Sequence, residues 1–155
     1  MSRRTRLAAL LYGGGSFVYL ADRVTKLLAE RYLANRPPID VIPGLVRLNY
    51  TTNSGGAFGV LGGQPWLFFA ATVLVCLAIV AGSTRLTRAA SAVGLGMILG
   101  GAVGNLTDRI IHGPGVSGRV VDFIDFRVWP VFNLADSAIV IGAVIVVLAG
   151  TRRSG

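Results

Sequence analysis

Four apolar segments limit the folds that this sequence can adopt. They cover about residues 7–28, 65–81, 89–106 and 134–149, and each is close to the roughly 20 residues that an α-helix needs to cross a bilayer. Hydrophobic residues make up 53% of the 155 residues and charged residues only 14%, unlike an ordinary soluble domain. The pattern predicts an α-helical integral membrane protein of one domain, residues 1–155, with four transmembrane helices.

The first apolar segment has a second interpretation. Residues 7–21 follow Arg3, Arg4 and Arg6, and this order resembles the start of a secretory signal peptide. A cleavage site of small residues followed by a soluble domain does not appear in the sequence. We therefore expect an uncleaved first helix.

The charged residues predict how the helices are oriented. Four spans place both termini on one side, together with the connection between the second and third spans. The basic residues expected on that side, where the sequence has no acid, are Arg3, Arg4, Arg6, Arg85, Arg88, Arg152 and Arg153. Because Lys and Arg are enriched in short cytoplasmic loops, we expect both termini to be cytoplasmic and the acidic residues to face outward.

Two connections form the outward side, at about residues 29–64 and 110–131. The first contains the β-prone residues 45–51, and the second returns to β-branched and aromatic residues after a Gly-rich stretch at 112–119. Trp66 and Trp129 suit the interface between lipid and water. We expect a small β-rich extracytoplasmic subdomain lying on the membrane surface.

Several kinds of site are excluded by composition. One cysteine, Cys76, and one histidine, His112, cannot form a zinc site of the usual kind, and we expect neither a metal nor a cofactor. The net charge is +8, but the basic residues are scattered near the ends of the apolar segments, as membrane topology requires. We expect no nucleic-acid partner, membrane lipids as surroundings, and a monomer.

Acidic residues close to the apolar segments are the strongest functional signal. A carboxylate at membrane depth costs roughly 3 kcal/mol on insertion scales, so we expect a function or a buried partner for it. Asp122 and Asp136 each lie where an apolar run meets a loop. Two neighbouring carboxyls share a proton near neutral pH, so one can activate water while the other donates to a carbonyl. This favours peptide hydrolysis, but channel, transporter and structural interpretations remain open.

Two polar pairs also have simpler interpretations. Asp22 and Lys26 are spaced by four residues and therefore share a helix face, where they could form a neutralised pair that anchors the end of the first helix. Asn133 and Asp136 are spaced by three, which suits the capping of a helix start. Neither spacing by itself predicts catalysis.

A third group of polar residues suits the binding of a peptide backbone. Asn105 lies one helical turn before Arg109, so an amide and a guanidinium share a face and can both grip carbonyl oxygens. Asp108 and Arg109 are adjacent, which on a helix directs them toward different partners. With Asn53 and Asn133, the outward side has three side-chain amides and a guanidinium close to its carboxyls.

Five short phrases with these residues occur in a recognisable order. In them the chain resembles lipoprotein signal peptidase (signal peptidase II), a family of bacterial membrane aspartyl proteases. The phrases are Asp22-x-x-Thr25-Lys26, Asn53-Ser54-Gly55-Gly56-Ala57-Phe58, Gly104-Asn105-Leu106-Thr107-Asp108-Arg109, Val120-Val121-Asp122-Phe123 and Phe132-Asn133-Leu134-Ala135-Asp136.

The resemblance implies an activity and a location. The family cleaves the signal peptide from diacylglyceryl-modified prolipoproteins, just before the lipidated cysteine. It implies a multi-pass protein of the bacterial cytoplasmic (inner) membrane, with the active site at the surface of the outer leaflet. The alternative from another class is a small transporter or channel that uses the carboxylates as a cation path. Such a protein should carry its acids at the bilayer midplane, whereas these lie toward one end.

Carried over residue by residue, the resemblance also assigns the site. It makes Asp122 and Asp136 the catalytic pair. Asp108 would orient Arg109 and the local backbone and is the chief competitor for a catalytic role, with Asp125 as the third choice. The residues that it links to substrate binding are Asn53, Asn105, Arg109 and Asn133, and those that it makes supporting positions are Asp22, Lys26, Gly55 and Asp108.

Overall fold

The computed structural model describes residues 1–54 and 64–151. This part of the chain has four long helices and three strands. In chain order they are α1 (Arg3–Leu33), β1 (Ile39–Ile42), β2 (Val46–Asn53), α2 (Pro65–Gly82), α3 (Ala89–Ile111), β3 (Val120–Asp125) and α4 (Leu134–Thr151), with a 3-10 turn at Ser83–Arg85 between α2 and α3. Each predicted apolar segment lies in one helix, and α1 continues five residues beyond its predicted end.

Three of the described helices are long and apolar enough to cross a membrane. They are Trp66–Arg85, Ala89–Ile111 and Leu134–Thr151, with mean hydropathies of 2.3, 1.5 and 2.2. Only 6% of the first and 22% of the third is buried inside the protein, as expected for helices that face lipid. Helix α1 is less apolar because it contains three consecutive glycines, residues 13–15, and the charged Asp22, Arg23 and Lys26.

Glycines let α3 pack closely against its neighbours α1 and α4. A Cβ atom at Gly96 would lie 2.5 Å from the carbonyl oxygen of Leu11 in α1, and one at Gly101 would lie 2.6 Å from that of Ala135 in α4. No real Cβ atom tolerates these distances to backbone, so larger residues would push the helices apart. The close helix packing that small residues favour in lipid therefore fixes how α1, α3 and α4 are rotated against one another.

The three strands form one antiparallel sheet in the order β1-β2-β3. Thr51 of β2 pairs with Asp122 of β3, and Asn53 pairs with Val120. The sheet rests on the last turns of α1 through a small apolar cluster of Ala29, Leu33 and Phe123. The predicted β-rich subdomain is thus a three-stranded sheet, and its strand β3 carries Asp122 back to the helices.

Candidate active site

Asp122 is a buried carboxyl in the middle of β3. Only 2% of the residue is exposed, and its Oδ1 accepts a hydrogen bond of 2.7 Å from the side-chain amide of Asn133. Burial raises the pKa of Asp122 to about 7, and repulsion from Asp136 acts in the same direction, while hydrogen bonds from Asn133 and Asn53 oppose both. Near neutral pH this carboxyl is therefore poised between its protonated and its ionised form.

Asp136 lies in the first turn of α4 and is half-buried. Its Oδ1 accepts a hydrogen bond of 2.8 Å from the amide of Asn105. Its backbone N–H donates to Oδ1 of Asn133 at 2.8 Å, and its own Oδ2 accepts from the backbone N–H of Asn133 at 3.4 Å. The capping interpretation of this pair is therefore correct, yet one carboxylate oxygen of Asp136 is engaged outside the cap.

Asn133 joins the two carboxyls. It is fully buried, and its Nδ2 donates to Asp122, to Oδ1 of Asn105 at 3.2 Å and to the backbone carbonyl of Val121 at 3.2 Å. The backbone N–H of Asn133 donates to the carboxyl of Asp136, and Asn105, which accepts from Asn133, donates to the same carboxyl. Asn133 and Asn105 together therefore hold a strand carboxyl and a helix carboxyl in one place. The structure thus brings together the two acids that the sequence separates by 14 positions.

A buried ion network supports this amide. Lys26 is 1% exposed, and its Nζ contacts Oδ2 of Asp22 at 2.9 Å, Oδ2 of Asp108 at 2.9 Å and Oδ1 of Asn105 at 2.8 Å. The second oxygen of Asp108 pairs with Arg23. Two negative and two positive charges therefore neutralise each other in this network. Lys26 also contacts Asn105, whose amide donates to the carboxyl of Asp136.

The network also fixes backbone on two other elements. Oδ1 of Asp22 accepts from the backbone N–H of Ala135 in α4 at 3.0 Å, and Oδ2 of Asp108 accepts from the backbone N–H of Val121 in β3 at 3.1 Å. The sequence predicted the Asp22–Lys26 pair, but the pair lies inside the bundle rather than anchoring a helix end. The network places β3 and the start of α4 relative to α1 and α3.

Arg23 is the residue that sequence reasoning missed. No role was expected for Arg23 from the sequence, whereas the structure pairs it with the wholly buried Asp108. A charged residue within an otherwise apolar segment is the signal that could have found it, because such a charge needs a buried partner.

Arg109 donates to carbonyl oxygens, as expected for a guanidinium, but the carbonyls belong to its own chain rather than to a substrate peptide. Its Nη1 donates to the carbonyls of Ser54 at 3.3 Å and Gly118 at 3.2 Å, and its guanidinium lies 5.9 Å from the ring centroid of Phe68. Arg109 therefore ties the end of β2 to the segment before β3. Asp108 turns the other way, toward Arg23, Lys26 and the backbone of β3, as adjacency on a helix requires.

The remaining candidate residues lie outside this cluster. The carboxylate of Asp125 accepts hydrogen bonds from Nε of Arg47 at 2.6 Å and from the backbone N–H of Arg127 at 2.7 Å. Although burial acts the other way, these hydrogen bonds hold the pKa of Asp125 below its ordinary value. Asp125 is therefore a structural anion of the sheet. Gly55, expected as a supporting position, lies outside the described residues.

The arrangement is suited to acid–base chemistry on an amide bond. Burial raises the pKa of Asp122 to about 7, and a second carboxyl, Asp136, also accepts a hydrogen bond from Asn133, through its backbone N–H. Within residues 1–54 and 64–151 no cluster of His, Cys, Asp and Glu could hold a metal ion. The two carboxyls can pass a proton to and from a water molecule and a peptide bond without another reactive group.

Comparison with known proteins identifies a family. A family model described as signal peptidase (SPase) II matches residues 16–152. A lipoprotein signal peptidase of Desulfitobacterium hafniense (strain DSM 10664 / DCB-2) is 42% identical over 128 residues, which are 81% of this chain and 82% of the relative. One of Halothermothrix orenii is 44% identical over 133 residues, 84% of this chain and 88% of the relative.

Solved structures agree with the sequence matches. A structure described as a bacterial membrane enzyme superposes with a TM-score of 0.77 at 28% identity, covering 92% of this chain and 91% of that chain. A second structure with the same description has a TM-score of 0.77 at 29% identity, covering 91% of this chain and 92% of that chain. The similarity therefore extends over nearly the whole chain in both sequence and fold.

Proposed function

The chain belongs to the signal peptidase II family, and we propose that it cleaves its substrates with Asp122 and Asp136 as the catalytic pair. Its activity is that of a prolipoprotein signal peptidase, a membrane protease of the aspartyl type. The observation that carries the assignment of the pair is Asn133. Its side-chain amide donates to the carboxyl of Asp122, and its backbone N–H donates to the carboxyl of Asp136. The transporter alternative is not supported.

The two carboxyls divide the chemistry between them. Asp122, whose pKa is raised to about 7, donates its proton toward the oxygen of the scissile carbonyl. Asp136 accepts a proton from a water molecule as that water attacks the carbonyl carbon. The C–N bond of the resulting tetrahedral intermediate then breaks, and the departing amine takes up the proton from Asp136. As the C=O bond re-forms, one hydroxyl of the intermediate returns its proton to Asp122, so both carboxyls regain their starting states. Asn105 and Asn133 hold the two carboxyls in the orientation that these transfers need.

The residues that the family links to substrate binding are Asn53, Asn105, Arg109 and Asn133. In this structure they contact the two carboxyls or the backbone beside them. Asn53 hydrogen-bonds Asp122, Asn105 hydrogen-bonds Asp136, and Asn133 joins both carboxyls. Arg109 holds the carbonyls at Ser54 and Gly118. We propose that these side chains position the carboxyls and the neighbouring backbone against the substrate peptide.

We also propose that α1 is a fourth transmembrane helix and that both termini are cytoplasmic. The start of α1 is joined to the α2–α3 connection by Arg3, which donates to the carbonyl of Thr87. Arg88 of that connection donates to the carbonyl of Ala149 near the end of α4. These basic groups lie at one end of the bundle, and the carboxyls and the sheet lie at the other. The positive-inside rule then places the active site at the outer leaflet of the cytoplasmic membrane.

Cysteine labelling tests this orientation. In a Cys76→Ala background, a cysteine introduced by Ser2→Cys should be shielded from a membrane-impermeant thiol reagent in intact cells, because it lies in the cytoplasm. A cysteine introduced by Ser117→Cys, in the segment before β3, should be labelled. Both cysteines should react after the cells are permeabilised. Labelling at position 2 and protection at position 117 in intact cells would reverse the proposed orientation.

The proposed substrate is a precursor with a diacylglyceryl-modified cysteine just after the cleaved bond. Its acyl chains remain in the bilayer, where each buried methylene is worth roughly 0.8 kcal/mol, and they keep the peptide in the plane of the carboxyls. The protein itself works as a monomer surrounded by lipid.

A paired cleavage assay tests the substrate proposal. We expect the purified enzyme to cleave the lipid-modified precursor with a kcat/KM at least about 100-fold above that of the same precursor without the diacylglyceryl group, because two buried chains concentrate it at the membrane. Cleavage of both precursors should depend on Asp136. Equal cleavage of the two would contradict lipid recognition while leaving the catalytic assignment intact.

The pKa of Asp122 predicts the pH dependence of cleavage. Raising the pH above about 7 removes the proton from Asp122, so the carbonyl loses its proton donor. We therefore expect kcat/KM to fall about tenfold for each unit of pH above that pKa. The measurement is the rate on the lipid-modified precursor between pH 5 and pH 9, with unfolding followed in parallel. A constant rate up to pH 9 would exclude Asp122 as the donor.

A further inference from the structure

The end of the bundle opposite the carboxyls has a basic cleft that proteolysis does not use. It lies between the first turns of α1 and the turn at Ser83–Arg85, and two overlapping parts of it have volumes of about 500 and 420 Å³. Arg3, Arg4 and Arg85 line it together with the apolar Leu7 and Leu86. The cleft thus combines three positive charges with an apolar floor.

Hydrogen bonds hold the two walls of this basic cleft together. Arg3 of α1 donates to the carbonyl of Thr87 in the α2–α3 connection. The hydroxyl of Tyr12, also in α1, donates to Oγ of Ser83 at 3.1 Å. Ser83 is itself fixed, since its hydroxyl donates to the carbonyl of Val80 at 2.7 Å. Leu86 packs against the buried apolar cluster that includes Leu7. The shape of the cleft is therefore built into the contact between α1 and the α2–α3 connection.

The charge of the basic cleft is not neutralised by nearby acids. The acidic residues of the sequence lie far from this cleft. They are at position 22 or beyond in α1, in the sheet region, or at the end of the bundle that carries Asp122 and Asp136. In the described part of the chain, neither Arg4 nor Arg85 has an ion pair, and both side chains are exposed. Several like charges around one cleft repel each other, and a bound anion would relieve that repulsion.

We propose that the basic cleft binds the phosphate headgroup of an anionic phospholipid. Arg4 and Arg85 hold the phosphate oxygens, because a guanidinium matches phosphate with two parallel hydrogen bonds. The glycerol and the first methylenes lie over Leu7 and Leu86. A lipid suits this cleft better than free phosphate does, because free phosphate would leave the apolar floor without a partner.

The position of the cleft along the helices supports a lipid. Arg85 ends the apolar stretch Trp66–Arg85, so its guanidinium lies at the depth where headgroups begin. With the proposed orientation, this is the cytoplasmic leaflet, whose anionic lipids attract basic segments next to membrane spans. The bound lipid would hold the start of α1 against the α2–α3 connection.

Lipid retention measured by native mass spectrometry tests the proposal. The full-length protein is equilibrated in mixed micelles of phosphatidylcholine and phosphatidylglycerol, and the lipid bound to each protein is counted. We expect wild type to retain phosphatidylglycerol in preference to phosphatidylcholine. The double variant Arg4→Gln/Arg85→Gln should bind phosphatidylglycerol about 25-fold more weakly, since each basic side chain near an anionic surface is worth roughly fivefold in affinity.

A matched variant controls for net charge. Arg31→Gln/Arg36→Gln likewise removes two positive charges, one in the last turn of α1 and one just after the helix, where both residues are exposed. This variant should bind phosphatidylglycerol like wild type. Arg4→Lys/Arg85→Lys keeps the charge and should keep part of the preference. Cleavage of the lipid-modified precursor in phosphatidylcholine shows that each variant is folded. The amount of bound lipid, measured by native mass spectrometry, does not depend on that activity.

Two results would overturn the lipid assignment. One is undiminished phosphatidylglycerol retention by Arg4→Gln/Arg85→Gln. The other is displacement of the bound lipid by millimolar inorganic phosphate, which would identify the cleft as a site for free anions. We expect phosphate at that concentration to leave the bound phosphatidylglycerol in place.

Discussion

Replacing either Asp122 or Asp136 with asparagine is expected to lower kcat for the lipid-modified precursor by at least about 1,000-fold, because an amide can neither donate the proton nor accept it. The side chain keeps its shape, and Asn133 can still donate to the oxygen of an asparagine at position 122. The substitution therefore removes chemistry rather than structure. The measurement is single-turnover cleavage in detergent, with thermal unfolding compared to that of wild type.

Asp125→Asn is the matched control for this prediction. Asp125 lies three residues after Asp122 on the same strand, and its partners are Arg47 and the backbone of Arg127. We expect this variant to cleave within about threefold of wild type, because Asp125 has no part in the proton transfers. Turnover by Asp122→Asn near that of Asp125→Asn would remove Asp122 from the pair.

Lys26→Met is expected to destabilise the protein by about 3–5 kcal/mol. Lys26 is wholly buried against Asp22 and Asp108, and removing one charge of a buried network leaves its partners uncompensated in a low dielectric. Cleavage should also fall, because Asn105 loses the ammonium that fixes the amide holding Asp136. Unfolding in mixed detergent, followed by circular dichroism, measures the change in free energy.

A surface ion pair provides the comparison for Lys26. Arg127 and Asp40 lie 2.7 Å apart, but their side chains are 39% and 51% exposed, so Arg127→Met should cost at most about 1 kcal/mol. The double variant Asp22→Asn/Lys26→Met should be less destabilised than Lys26→Met alone, because one uncompensated acid has been removed. A cost for Lys26→Met no larger than that for Arg127→Met would show that the buried network does not hold the fold together.

The helices and the sheet could be predicted because they depend on local pattern. An apolar stretch of about 20 residues predicts a membrane helix wherever it occurs, and each of the four predicted segments lies in one helix. The β-prone residues 46–51 and the β-branched residues near 120 lie in paired strands, while Leu45 of the predicted stretch lies in the turn before β2. Helix α1 was predicted from the same pattern, but Asp22, Arg23 and Lys26 make it less apolar than the three helices whose hydropathy suits a membrane span.

The candidate residues could be named from the sequence because their chemical types occur in short phrases that resemble a family. The phrase around Asn133 and Asp136 also predicted a helix start, and the structure has α4 beginning there with a reciprocal cap. Local spacing paired Asp22 with Lys26, which are in contact. In each case, the decisive neighbour lies within four residues along the chain.

Partners distant in sequence were decided only by the tertiary structure. The backbone N–H of Ala135 donates to Asp22 across 113 positions, and Arg23 rather than Arg109 pairs with Asp108. These contacts depend on how α1 and α4 pack against α3, and the glycines of α3 allow the close approach that this packing needs. The sequence by itself determined which acids, amides and bases this protein has and on which elements they lie. Only packing decided that Asn133 joins Asp122 to Asp136, because a hydrogen bond forms over about 3 Å, and no spacing along the chain predicts a distance that short between separate elements.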